Sequence, residues 1–187
     1  KIYGSNAPTD ISSLNPVAWY RMGEEATFNS GTGVWTLTDQ GSGGNNATSN
    51  NVEEQDRKTN TPSSFSQFSV EFDGIDENLG LDATFDVTGG LTLSCWVKYD
   101  ASNNSLVYWI TNGALGGAGN IITTRFSGNS WFNLIHGSAV YTGVTGLGDN
   151  NWHHIAQTIN YSNGDVKYYK DGVQSSNTYT FGSAMTT

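Results

Sequence analysis

Four carboxylates crowd into the short stretch EFDGIDE, at Glu71, Asp73, Asp76 and Glu77. Two such acids about 5–5.5 Å apart can hydrolyse a glycosidic bond, one as nucleophile and one as general acid. That arrangement needs a strand to aim alternate carboxylates into one cleft. Gly74, directly after Asp73, favours a turn instead, in which Asp73 and Asp76 bond local backbone amides. His153 and His154 are adjacent, so on a strand they face opposite sides and cannot act together on one substrate. A hydrogen-bonded structural role suits them better. With 3 histidines and 1 cysteine the chain lacks the ligands of a zinc site. No serine sits in a G-x-S-x-G setting and no phosphate loop is visible.

Binding chemistry has better candidates. Asp39, Asn45 and Asn46 lie in the loop TDQGSGGNNAT, where carboxylate, amide and carbonyl oxygens suit calcium. The alternative is a network of Asx turns with no ion. Aromatic residues form the other set. Trp96 and Ser94 lie opposite the apolar face of their strand. If Phe132 and Leu134 fill the core, Trp131 and Asn133 point outward, and Tyr108 or Trp109 contributes similarly. Outward rings cover the apolar face of a pyranose while amides and carboxylates bond its hydroxyls. The competing reading of Trp96 is a structural residue packed under a loop; Trp131 is the leading sugar-contact candidate.

The elements that must position these residues are strands. Trp152 to Tyr161 alternates in period two, with Ile155 and Ile159 on one side and Ala156 and Thr158 on the other. Asn163-Gly164 then turns the chain, Val166 to Tyr169 returns, and Asp171-Gly172 turns it again. GLTLSCWVKY alternates too, with Leu91, Leu93, Cys95 and Val97 on one face, which makes Cys95 a small core residue. Val17 to Met22 and Thr36 to Asp39 read as the first strands. Phe68, Val70 and Phe72 share a face of a further strand, and Leu79 and Leu81 lie on its return. Later strands are expected at Leu106 to Ile110, Ile121 to Phe126, Trp131 to His136 and Ala139 to Tyr141, between Gly/Asn-rich turns such as SGNS. Asn50 to Ser66 reads as a charged surface loop. Residues 1–15 read as an arm or linker, either a frayed terminus or a tether to a neighbouring subunit.

Composition bounds the function. The chain has 187 residues, 36% hydrophobic and 12% aromatic, enough to bury a core in one all-β domain. Charged residues are only 13%, with 23 glycines, as many short strands and turns require. A formal charge of −9 repels phosphate backbones and anionic lipid, so neither nucleic acid nor membrane insertion is expected. No run approaches the ~18 apolar residues that span a bilayer. A lone cysteine forms no internal disulfide, so packing must hold the fold. No signal peptide is visible, and a start at Lys1 reads as a chain processed or cut from something longer.

WHHIA followed by Y-x-D-G, the strand GLTLSCWVKY, SVEFDGIDENLGL and the opening PVAWYRMGEE together resemble the laminin-G-like branch of the concanavalin A-like lectin/glucanase superfamily. The opening and TDQGSGGNNAT are similar to laminin-G-like segments of marine bacteriophage proteins. The resemblance runs from Pro16 to Phe181 and implies an antiparallel two-sheet β-sandwich of jelly-roll topology over residues 16–187. Asn78 stands where the family more often has an aromatic. The family's final central strand, F-x-G-x-[IL]-D-E-[VF], has no counterpart in FGSAMTT. An open sheet edge would invite strand addition from a second copy. Many relatives hold calcium at the sandwich rim, so the resemblance makes calcium a candidate cofactor beside the ion-free Asx-turn reading. Laminarinase-type hydrolases of this superfamily use E-x-D-x-x-E, and here Asp76 stands where that motif needs Glu.

The resemblance therefore implies a non-catalytic recognition or adhesion module outside the cell or on a virion, its partner a glycan or host-surface polysaccharide. A structural virion protein contacting other virion proteins is the rival, and a glycoside hydrolase the third reading.

Overall fold

The computed structural model describes residues 11–62, 66–81, 89–102, 105–110, 122–135 and 138–180; for 105–110, 122–123, 134–135 and 138–139 only the backbone is described. Every strand pair in these residues is antiparallel, and the only helical pieces are short 3-10 turns at Ser12–Leu14 and Glu54–Asp56. The chain divides into two compact units, 1–86 and 87–187.

In the first unit, β1 (Ala26–Asn29) and β2 (Val34–Leu37) form a hairpin, joined by β3 (Ala47–Asn50) and β6 (Asn78–Gly80) in the order β1-β2-β3-β6. A separate ribbon pairs β4 (Arg57–Lys58) with β5 (Ser69–Val70). Trp35, Leu37, Ala47 and Val52 make the core, and Val70 and Leu79 pack against it. The indole N–H of Trp35 donates to the Glu53 carbonyl at 3.0 Å, so the ring is buried with its polar atom satisfied. The Arg57 guanidinium lies over the Trp35 and Phe68 rings, at 5.1 and 4.6 Å from their centroids.

Several sequence expectations fail in this unit: β6, with Leu79, pairs with β3 and is not the return strand of β5, and the expected loop Asn50 to Ser66 holds β4. Val17 to Met22 is not in a strand: its backbone is satisfied by the loop beyond β2, with Gln40 and Gly43 donating to the carbonyls of Trp19 and Val17. Phe72 does not share an inner face with Val70, because β5 stops at Val70 and Phe72 is exposed.

The second unit is a sandwich of two four-stranded sheets. One has the order β11-β10-β9-β8, from β8 (Ser105–Ile110), β9 (Ile122–Ser127), β10 (Ser130–Ile135) and β11 (Ser138–Thr145). The other has the order β14-β13-β12-β7, from β7 (Leu91–Asp100), β12 (Asp149–Ile159), β13 (Asp165–Lys170) and β14 (Val173–Thr180). Alternation explains each inner face. Phe126, Trp131 and Val140 come from the first sheet and Ile155, Ile159, Val166 and Tyr168 from the second, with Leu91, Cys95 and Val97 packed against them. The Asp171-Gly172 turn has both residues at positive φ, +50° and +78°, the conformation whose twist matches a two-residue hairpin. It brings Lys170 opposite Val173.

Candidate functional site

The outer face of the β7–β12–β13 sheet carries the aromatic and hydroxyl side chains that alternation turns away from the core. Trp96 is 51% exposed and stands directly across from His154. Their ring centroids are 5.3 Å apart at 56°, a tilted contact that holds the indole in place. Burial lowers the His154 pKa, opposed by the Asp171 carboxylate, so the ring beside Trp96 is neutral near pH 7. Lys98 and Trp152 pair one step along the same face. In the other direction Ser94 pairs with Ala156, and Thr92 with Thr158.

There the sheet opens into a depression of about 470 Å³ lined by Thr92, Thr158, Asn160, Asp165, Lys167 and Tyr169, among others. Tyr169 and Lys167 face outward because their neighbours Val166 and Tyr168 are wholly buried. Hydroxyls, an amide and both signs of charge thus surround an aromatic wall. This is the chemistry of a polar, hydroxyl-rich ligand.

The histidine pair divides its work as the alternation requires. His154 lies on the outer face. His153 turns the other way, its Nδ1 2.7 Å from Asp171 Oδ2 and its Nε2 3.1 Å from Asp149 Oδ1. Asp171 Oδ1 also accepts the His154 backbone N–H at 2.9 Å. The hairpin turn is thereby tied to the start of β12.

Trp131 and Asn133 do not point outward. Trp131 is 1% exposed and Asn133 fully buried. The reversal follows from pairing across the SGNS turn, which sets Arg125 opposite Phe132 and Phe126 opposite Trp131. A guanidinium with no buried partner cannot enter the core, so Arg125 and Phe132 face out and positions 131 and 133 face in. Inside, the Trp131 indole donates to Asn133 Oδ1 at 2.9 Å, Thr124 donates to the same oxygen at 3.1 Å, and Asn133 Nδ2 donates to Gln157 Oε1. The Trp131 ring meets Tyr168 edge-on, with centroids 5.5 Å apart. Tyr108 and Trp109 lie on β8, opposite Thr124 and Thr123; their side chains fall outside the described ones.

Asp39, Asn45 and Asn46 do come together, but not as cation ligands. Asp39 Oδ1 accepts the backbone N–H groups of Trp19 and Gly41 at 2.9 and 2.7 Å, and Oδ2 that of Asn45 at 3.0 Å. Asn46 Oδ1 accepts the Asp39 N–H at 3.1 Å. The Asn45 carbonyl accepts the Tyr20 hydroxyl. Burial alone would raise the Asp39 pKa, yet the N–H donors of Trp19, Asn45, Gly41 and Gly44 outweigh it and hold the carboxyl below its usual value. These oxygens face hydrogen-bond donors, so the residues do not fit a calcium ion here.

The acidic stretch EFDGIDE forms a turn, with Gly74 at φ +76°. Glu71 pairs with Lys58 at 3.1 Å. Asp73 accepts the Ile75 N–H at 2.7 Å, Glu77 accepts the Asp73 N–H, and Asp76 accepts from the Asn51 amide at 2.9 Å. Asp73 and Glu77 thus close the turn, whereas Glu71 and Asp76 are held by Lys58 and Asn51 and not by local backbone amides. Burial, together with the nearby Asp56 carboxylate, to which Glu77 is hydrogen-bonded, raises the Glu77 pKa.

Sequence reasoning missed His154, Trp152, Tyr169 and Lys167 as residues of the same face as Trp96. The available signal was the parity of β12: with Ile155 and Ile159 inward, even-numbered residues must face out.

A search of curated proteins finds no match to this chain. Five chains of solved structure match, including a Bacillus licheniformis β-glucanase at 14% identity and a TM-score of 0.42, covering 89% of this chain and 68% of that one. The sequence model of the Laminin_G_3 family, described as the concanavalin A-like lectin/glucanases superfamily, matches residues 73–187. With its antiparallel sheets and laminin-G-like strand motifs, the chain belongs to that family, within the concanavalin A-like lectin/glucanase superfamily.

Proposed function

We propose that this protein is a non-catalytic recognition module that binds carbohydrate on the outer face of β7, β12 and β13, displayed outside the cell or on a virion. The observation that carries the reading is Trp96, half exposed yet held against the neutral ring of His154. Two same-face steps along β7 from Trp96, at Thr92, the same face holds a depression walled by Tyr169 and lined by hydroxyls and amides. A half-exposed indole offers an apolar face that a pyranose can cover without needing charge. Membership of a superfamily that includes lectins and glucanases agrees with a sugar ligand. The turn-bound carboxylates around Asp73 favour binding over hydrolysis.

A second reading, protein contact within an assembly, has its own observation. On the opposite sheet Tyr141 is 74% exposed beside Phe132, with the Arg125 guanidinium 5.9 Å from the Phe132 centroid. Tyr, Phe and Arg are the types enriched at protein interfaces.

A glycan array probed with wild type, Trp96→Ala and Tyr141→Ala separates the two. Binding that Trp96→Ala removes and Tyr141→Ala leaves intact supports the sugar reading. Absence of any glycan signal, with self-association in sedimentation that Tyr141→Ala abolishes, replaces it with the protein-contact reading.

A further inference from the structure

We propose that the polysaccharide recognised on this face is acidic, carrying carboxylate or sulfate groups; the inference rests on the glycan-binding reading above. Its basis is the placement of two lysines on a chain with only 8 basic residues against 17 acidic ones. Lys98 lies across from Trp152, one same-face step beyond Trp96. Lys167 lies across from Thr158 in the depression on the other side. Successive same-face residues on a strand are roughly 6.6 Å apart. Lys98 is one such step from Trp96, and His154 to Thr158 is two. The two ammonium groups therefore bracket the Trp96 platform at roughly 20 Å along the strands, a spacing that suits a polymer bearing repeated anionic groups.

The carboxylates near this face, Asp100, Asp165 and Asp171, keep their charge, and each accepts hydrogen bonds from its own surroundings, Asp100 from the Ser102 N–H at 2.9 Å. Asp165 Oδ1 accepts the Thr180 hydroxyl at 3.1 Å and its Oδ2 the Asn163 amide at 2.9 Å. Asp171 is engaged by His153 and by the His154 backbone. Among the described residues, Lys98 and Lys167 join none of the ion pairs, whereas Lys58 pairs with Glu71 and Arg21 with Glu24. Both lysines are exposed, so each can meet a ligand anion without first breaking a bridge. Each such contact is a charge-assisted hydrogen bond.

The test uses one polymer in two forms: polygalacturonate, and the same polymer with its carboxylates reduced to alcohols. A sulfated galactan and a neutral β-glucan run in parallel. Wild type is expected to bind an acidic polymer at least tenfold more tightly than the neutral ones. Lys167→Gln and Lys98→Gln should each weaken that binding about tenfold, at the low end for a hydrogen bond to a charged group. Neither should change the melting temperature. Preference for the sulfated over the carboxylated polymer, or the reverse, identifies the anion and supports the proposal either way. Equal binding to acidic and neutral polymers, lost in Trp96→Ala but not in the lysine variants, overturns the acidic ligand and leaves the glycan reading standing. Failure to bind all four polymers, with Trp96→Ala no different from wild type, overturns both.

Discussion

The indole N–H of Trp131 donates to the amide oxygen of Asn133 at 2.9 Å, inside a core where neither side chain reaches solvent. Because Asn133 also accepts from Thr124 and donates to Gln157, one amide satisfies polar atoms on three strands. Replacing it leaves an indole N–H, a hydroxyl and an amide oxygen buried without partners. Asn133→Ala is expected to cost about 2–4 kcal/mol, measured by urea unfolding followed through tryptophan fluorescence. Trp131→Ala should cost about 3–5 kcal/mol by cavity formation. A Trp131→Ala protein as stable as wild type would contradict the buried placement.

Trp96→Ala should do the opposite. The ring is half exposed, so its loss is expected to change stability by less than about 1 kcal/mol while removing glycan binding. Thermal melting and the array readout together check this split. A large drop in stability would make Trp96 a packing residue.

The Asp39 loop makes a prediction about metal. Asp39→Ala orphans the amides of Trp19, Gly41 and Asn45, at a cost of about 1–3 kcal/mol. Since those amides engage both oxygens of the carboxylate, the loss should be the same in calcium and in EDTA. A penalty that appears only with calcium present would reinstate the ion.

Acid sensitivity follows from Asp149. Hydrogen bonds from the Asn151 side chain and backbone, with His153 adding to them, lower its pKa to about 2. A depressed carboxylate pKa stabilises the fold above the unfolded value near 3.8 and loses that contribution as pH falls through about 2. Asp149→Asn should flatten stability between pH 4 and 2 and leave the neutral and alkaline limbs alone, as acid titration of the far-UV signal would show.

Gly90 gives a backbone test at the rim of the depression. Its φ is +134°, and a Cβ there would come within 2.6 Å of the Ile159 carbonyl oxygen. Gly90→Ala should cost about 2 kcal/mol or more through strain and displacement of the β7–β12 pairing. Denaturant unfolding should register this, together with weakened glycan binding.

The strands of the second unit were legible in the sequence because short-range rules govern them. Ile155 and Ile159 define the buried side of β12 by alternation alone, and Asp171-Gly172 can hardly be anything but a tight turn. Leu91, Cys95 and Val97 declare the inner side of β7 in the same way. Val17 to Met22 misled, since β-forming residue types say nothing about which backbone will pair with them. There a carboxylate and a loop satisfied the chain instead of a strand.

The candidate site was harder to read because facing is a property of pairs. Trp131 and Phe132 are both large and aromatic, and composition cannot say which is inside. Their partners across the SGNS turn decide it: Arg125 must stay wet, which commits Phe132 to the surface and Trp131 to the interior. Local sequence thus determined that these segments are strands and where they turn. Only tertiary pairing decided which indole is offered to a ligand, since residues far apart in the chain had to meet before burial could choose between the two faces.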